Sequence, residues 1–320
     1  MRLFAAAVVA LVAVGAQAEP VSLDVKVLPR FSVNPMAEGR LAYVGGLRLR
    51  GPRRFGGVSG LLADKGRFVA ATDTGHFITG AFVTVDGRLT GVRDVAMTRR
   101  IGLDGRAITT KRAGDAEALA RDDRGLLVLV EQGRALLRYR LDGALRPSGA
   151  PARVLGRAGL RPLGNDGAEA LATLPSGDVI VIAEGRRATR PSVAALTLGG
   201  RRLRVRQSDG FAITGADALP GGDLLLVERR YGGGLDVGAR VRRIGRDTLK
   251  RGTLDGPVLM RAGLSAEIDN MEAIAVDASG ERPLITLASD DNHSFWQRTV
   301  FLQFVLDDPL PRPKPSPNPG

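Results

Sequence analysis

The chain has no cysteine. Disulfides, thiol nucleophiles and thiolate metal sites are therefore excluded. Aromatic residues make up only 4% of the 320 positions, so the core has to be built from Leu, Val, Ile and Ala. Histidine occurs only at His76 and His293, which limits imidazole chemistry to those two side chains. Lysine occurs only at Lys26, Lys65, Lys111, Lys250 and Lys314, so the net charge of +12 is almost wholly arginine. Those arginines are spread along the chain without an aromatic stacking motif, which argues against nucleic acid as the partner. There is no Gly-x-Ser-x-Gly elbow. Gly232-Gly233-Gly234 lacks the Lys-Ser/Thr of a phosphate loop and reads as a plain loop. Beyond the first fifteen residues no apolar run is long enough to span a bilayer.

Hydrophobic residues reach 44% and there are 42 glycines, the composition of a globular chain with many tight turns. Met1-Arg2, the apolar run Leu3 to Gly15 and the small-x-small Ala16-Gln17-Ala18 read as a secretory signal peptide cleaved after Ala18. The expected product is a monomer in the periplasm or outside the cell, with one domain over 19–308. The Pro-rich tail 309–320 cannot join a sheet and is expected to be extended.

One unit repeats. Gly114-Asp-Ala-Glu-Ala-Leu-Ala120 matches Gly167-Ala-Glu-Ala-Leu-Ala172, Gly215-Ala-Asp-Ala-Leu219 and Asn270-Met-Glu-Ala-Ile-Ala275, with a weaker copy in Gly57-Val-Ser-Gly-Leu-Leu62. Each is followed by a turn and then by an apolar strand: Phe68 to Ala71, Leu126 to Val130, Val179 to Ala183, Leu224 to Val227 and Leu284 to Ala288. The anchor positions 59, 117, 169, 217 and 272 recur at the spacing of propeller blades, and no helical period competes. The expected fold is an all-β propeller of four-stranded antiparallel blades. Five repeats are counted. The remaining residues, 20–50 and 290–306, either complete the last blade across the closure or help build a sixth.

Within a repeat, the start of one strand lies beside the end of the next, so two acids per blade share one face of the disc. The inner set is Glu117, Glu169, Asp217 and Glu272; the set beside it is Asp73, Glu131, Glu184, Glu228 and Asp290. Many carboxylates around one mouth repel each other and call for a positive charge. Hard oxygen donors in loops suit Ca2+. Each acid is equally readable as an acceptor for backbone N–H groups at its strand start, or as the partner of an arginine. Arg134, Arg186, Arg187, Arg229 and Arg230 follow the second acids in loops on the same face, where guanidinium forks suit phosphate or carboxylate. His76 and His293 each follow an acid by three residues, in repeats that ring closure makes neighbours. They form a candidate acid–base pair.

Asn270-Met-Glu-Ala-Ile-Ala275, Ser289-Asp-Asp-Asn-His-Ser294, Gln297-Arg-Thr299 with Phe301-Leu-Gln-Phe304, and Leu226-Val-Glu-Arg-Arg-Tyr231 resemble the phytase-like family labelled "esterase-like activity of phytase". The resemblance runs from about Leu41 to Leu306. It implies an exported propeller, often bacterial, that hydrolyses phosphate or carboxylate esters. It carries Glu272, Asp290, Asp291, Asn292, Gln297, Glu228 and Arg229 over as motif positions. Asp291 and Asn292 join the expected calcium ligands, and Gln297 the substrate contacts. Ser59 departs from the acid pattern. The expected reaction is attack of a calcium-activated water on a phosphoryl group clamped by arginines, with Glu272, Arg229, His76 and His293 at the reacting centre. Two alternatives stand beside it: a non-catalytic propeller that binds an envelope, sugar or peptide partner by the same face, and a lactonase-like hydrolase.

Overall fold

The computed structural model describes residues 17–32, 40–130, 135–164, 167–185, 190–233 and 236–306. The apolar run of the leader and the Pro-rich tail lie outside the described residues.

The second strand of each repeat is a continuous apolar run because it is buried on both faces, between neighbouring blades. Leu126 to Leu129, Ile180 to Ala183 and Leu224 to Val227 are all fully buried. The inner strands carry Ala and Gly instead, where strands crowd around the axis. A Cβ at Gly60 would press on the Ala118–Leu119 backbone of the next blade, and one at Gly215 on the Glu272 carbonyl. Small residues inside and branched aliphatics outside fill a narrow wedge, which is why the chain needs so few aromatics.

Five blades result, not six. Their inner strands are Val58–Asp64, Ala116–Asp122, Ala168–Thr173, Ala212–Ala218 and Asn270–Asp277, and each touches the next around a closed ring. Blade 1 continues with Arg67–Thr72, His76–Val85 and Arg88–Arg99, edged by Glu19–Pro20. Blade 2 adds Gly125–Val130, Ala135–Leu141 and Pro147–Leu155. Blade 3 adds Val179–Ala183, Ser192–Thr197 and Arg202–Arg206, with Thr253–Leu254 pairing parallel at its edge. Blade 4 adds Leu224–Tyr231, Val237–Ile244 and Val258–Ala262.

Blade 5 closes the ring with both ends of the domain. Leu284–Asp290 and Thr299–Leu306 come from late in the chain, while Leu41–Arg50 and Asp24–Leu28 come from its beginning. Asp24–Leu28 and Leu41–Arg50 thus finish the last blade, with Leu47 opposite Phe301. Phe68 of blade 1 meets Phe301 of blade 5 edge to face at 5.4 Å, and this contact seals the same seam. Among the described residues no helix is long and apolar enough to cross a membrane.

Candidate functional site

All five inner hairpins share an irregularity. Near the start of each inner strand the register slips by one residue. The extra residues are Ser59, Glu117, Glu169, Thr214 and Glu272. A β-bulge leaves one residue outside the ladder and re-aims its side chain. Among the described residues, the position just past the bulge on the second strand is held by Asp73, Glu184, Arg229 and Asp290. Two rings of side chains are thereby set at the same end of the barrel of inner strands.

Blade 4 does not follow the sequence expectation. Asp217, expected in the inner ring, lies three residues further along its strand, and Thr214 occupies the bulge. The Asp217 carboxylate accepts the N–H of Ala218 (2.8 Å) and of Val276 in blade 5 (2.7 Å), so it pins two blades together. Burial raises it to about 6, against these two bonds. Glu228, expected beside it, is also displaced. It is wholly buried and ion-paired to Arg240 Nε (2.5 Å) and Arg242 Nη2 (2.7 Å). A one-residue offset in a strand turns a side chain to the other face. Arg229 therefore stands where the other blades carry an acid. Thr214 donates its hydroxyl to the Met271 carbonyl (2.8 Å).

Around this arginine the acids of the neighbouring blades gather. Arg229 Nη1 lies 2.8 Å from Glu272 Oε1 and bonds Asn270 Oδ1, and its Nη2 is 3.9 Å from Glu184. Asn270 also donates to Glu272 (2.8 Å). Burial raises Glu272 above the usual carboxylate range, with Glu184 and Asp73 adding to the rise and Arg229 opposing it. Asp290 is 7% exposed. Burial pushes it up to about 7, helped by Glu272, Asp73 and Asp291 and resisted by the Asn292 N–H it accepts at 2.7 Å. Asp73 is 6% exposed. Its Oδ2 takes Lys111 Nζ at 2.7 Å, while its Oδ1 is buried without a hydrogen-bond partner, 3.6 Å from His293 Nε2.

The backbone makes room for this. Gly57 has φ +64, and a Cβ there would collide with Asp73 Oδ1 and lie 3.0 Å from His293 Nε2. Its N–H donates to Asp291 Oδ1 (2.9 Å). Asp291 also accepts the His293 N–H (3.1 Å) and the Thr299 hydroxyl (2.9 Å). Asp291 thereby staples the loop that presents His293. Asn292 and His293 both sit in the left-handed region, at φ 46 and 50.

The two histidines have different surroundings. His76 is buried, with Nδ1 3.4 Å from the Thr74 hydroxyl. Burial, then Arg99, Arg54 and Arg100, lower it to about 4, so it is neutral at pH 7. His293 meets Asp73 at 3.6 Å. Gln297 accepts from Asn292 Nδ2 (3.1 Å), and Arg230 pairs with Asp236 (2.5 Å). Glu117 and Glu169 occupy their bulges, each with interactions of its own. Glu131, Arg134, Arg186 and Arg187 lie outside the described residues.

Among the described residues no group of three or more His, Asp or Glu is gathered to hold an ion. Asp217, Glu228 and Asp291 are committed elsewhere, and Arg229 and Lys111 supply positive charge from the chain itself. Sequence reasoning missed Lys111, which arrives on a long loop between blades 1 and 2 and belongs to no repeat. It also missed Thr214, which counting back six residues from each hairpin turn would have found.

Beside the acids opens a cleft of about 1010 Å³ between blades 4 and 5. Its lining includes Glu184, Arg229, Arg230, Asn270, Trp296 and Arg298.

The family model described as phytase-like, "esterase-like activity of phytase", matches residues 53–293, a span that runs from the Gly57 turn to His293. The chain belongs to this family. No curated protein matches it. Among solved structures, the glutaminyl cyclase of Myxococcus xanthus is 14% identical, over 91% of this chain and 100% of that one, with a TM-score of 0.45. The gluconolactonase XC5397 of Xanthomonas campestris is 13% identical over 91% and 98%, with a TM-score of 0.42. The PQQ-bound aldose sugar dehydrogenase of Streptomyces coelicolor is 13% identical over 90% and 99%, with a TM-score of 0.45. Likenesses this loose fix no activity.

Proposed function

We propose that the mouth hydrolyses an anionic ester, a phosphate or related ester, by general acid–base catalysis. The observation that carries this reading is the Asp73 carboxylate 3.6 Å from His293, with Glu272 and Asp290 close enough to Asp73 to repel it and Asp290 pushed up to about 7. A carboxylate of that basicity takes a proton from water near neutral pH far better than an ordinary aspartate.

The roles follow from placement. Arg229 and Lys111 draw the charged oxygens of the ester toward the acids. A water that gives its proton to Asp290 attacks the ester centre. The bond to the leaving oxygen breaks, and that oxygen takes a proton from His293 in its imidazolium form. The Asp73 carboxylate lies 3.6 Å from its Nε2. Glu272 holds Arg229 in place through the 2.8 Å contact. Family membership supports ester hydrolysis as the reaction class, and the leader sequence supports action outside the cytoplasm.

The test is turnover of p-nitrophenyl phosphate and p-nitrophenyl acetate by the protein beginning at Glu19, with chelator and with added calcium. Chelator-resistant turnover of the phosphate ester, lost in Asp290→Asn and His293→Ala, is expected. Turnover that chelator abolishes and calcium restores would replace this mechanism with a calcium-dependent one. No turnover of either ester by folded protein would leave a binding propeller.

A further inference from the structure

The chain has one tryptophan and few aromatics, so where they are exposed is informative. Among the described residues, the large apolar side chains more than 60% exposed are Tyr231, Phe295 and Trp296, at 76%, 88% and 85%. All three stand at one place. Tyr231 and Trp296 line the cleft between blades 4 and 5, Leu264 lines it too, and Phe295 packs edge to face on Trp296 at 5.3 Å. Exposed apolar surface concentrated at the rim of one cleft marks a binding surface, whereas scattered exposed residues do not.

The loop that carries Trp296 is held in place. Asp291 ties its start to Gly57 and Thr299, the Ser294 N–H donates to the Asp291 carbonyl (2.7 Å), and Asn292 bonds Gln297 (3.1 Å). The indole is thus presented outward by a built turn. The inner end of the same cleft carries two guanidinium groups beside Glu184: Arg229, one-third exposed and paired with Glu272, and Arg230, paired with Asp236 and with a buried Nε that has no hydrogen-bond partner. The volume of about 1010 Å³ suits a ligand of small-molecule size.

We propose that this cleft selects anionic esters that carry a flat apolar ring, with the ring stacked on Trp296 between Tyr231 and Leu264 and the anion held at Arg229 and Arg230. This rests on the hydrolase reading for its word "ester", but not for its ligand chemistry. A flat ring on an indole gains both apolar burial and face or edge contact. The guanidinium groups fix the other end by charge-assisted bonds.

Because Trp296 is the sole tryptophan, its fluorescence reports the site directly. The probes are phenylphosphonate, which has ring and anion and cannot be hydrolysed; methylphosphonate, which lacks the ring; and benzyl alcohol, which lacks the charge. Phenylphosphonate is expected to shift the emission and to bind at least tenfold more tightly than either. In Trp296→Ala, followed by calorimetry, phenylphosphonate is expected to fall to the affinity of methylphosphonate. Equal affinity for the two phosphonates, or a ring preference that survives Trp296→Ala, overturns the ring site. Equal affinity for benzyl alcohol and phenylphosphonate overturns the anionic half. Turnover of p-nitrophenyl phosphate with no ring preference sinks this inference and leaves the hydrolase standing. Ring-selective binding without any turnover does the reverse.

Discussion

Blades 4 and 5 are neighbours built from the same hairpin with the same bulge, yet they bring opposite charge to the mouth. Blade 5 presents Glu272 at the bulge and Asp290 beside it. Blade 4 presents Thr214, whose hydroxyl is bonded to a backbone carbonyl of blade 5, and Arg229. A ring of five identical blades would gather like charges with nothing to offset them, as burial and repulsion at Asp290 show even here. One deviant blade supplies a cation that a symmetric design would have to recruit from outside. Symmetry in a propeller is a property of its backbone, and the chemistry comes from where the side chains break it.

The largest expected effect is on catalysis. Asp290→Asn keeps the shape of blade 5 and removes its base, so turnover should drop by roughly 10³-fold. The same change removes a carboxylate that burial disfavours, so the melting temperature should stay level or rise. A variant that loses activity only because it unfolds would show the opposite in a thermal melt.

The acid of blade 4 should behave the other way. Glu228 sits fully buried between Arg240 and Arg242. Removing one partner of a buried pair leaves the others uncompensated, so Glu228→Gln should cost about 3 kcal/mol of stability in urea unfolding. Turnover per folded molecule should stay within about threefold, a factor worth well under 1 kcal/mol of barrier. If Glu228→Gln stops turnover without lowering stability, the assignment of blade 4 to architecture is wrong.

Arg229 links the two blades, and its pairing can be measured. Arg229→Met leaves Glu272, 12% exposed, without its cation and should destabilise by about 2 kcal/mol. Adding Glu272→Gln should recover most of that loss, giving a coupling energy in a double-mutant cycle of at least about 1 kcal/mol. Additive single effects would mean that the 2.8 Å contact contributes nothing.

The comparison also explains what sequence could reveal. Turn residues and apolar second strands recur in all five repeats, and they specified a propeller whose ring closes through both termini. Blade count waited on the structure because residues 20–50 carry no repeat of their own; Leu41–Arg50 joins blade 5 only by pairing with Thr299–Leu306. In blade 4 the segment Gly215-Ala-Asp-Ala-Leu219 imitates the motif three residues late, so a pattern match selects Asp217 over Thr214. Glu228 misled for a different reason: its neighbour Arg229 holds the equivalent position, and parity along a strand decides the face. Asp73, Glu272, Asp290 and His293 were legible because their blades keep the register. Lys111 was not, since a loop residue that reaches a site from between two repeats leaves no periodic trace. His76 follows Asp73 as His293 follows Asp290, but the strand that begins at His76 draws its ring among Thr72, Thr74 and the packed blade.

The dependence of stability on pH also separates the blades. Asp290 titrates near 7 in the fold and near 3.8 when unfolded. Between those values the native state holds a proton that the unfolded state has released, so stability is fully present below about pH 4 and is lost as pH rises through 7. Glu272 is shifted in the same direction. Asp217 at about 6 adds to the loss from its place between blades 4 and 5. Asp277 and Asp209 are held below their usual range and pull the other way, but at lower pH. The wild type should therefore be more stable at pH 5 than at pH 8 by about 2 kcal/mol, after allowance for relaxation around the buried groups. Asp290→Asn should flatten most of that slope, whereas Glu228→Gln should leave it intact. Thermal unfolding of the three proteins at pH 5, 6, 7 and 8 measures it. A slope that persists in Asp290→Asn would place the strain outside the mouth and remove the support it lends to Asp290 as the base.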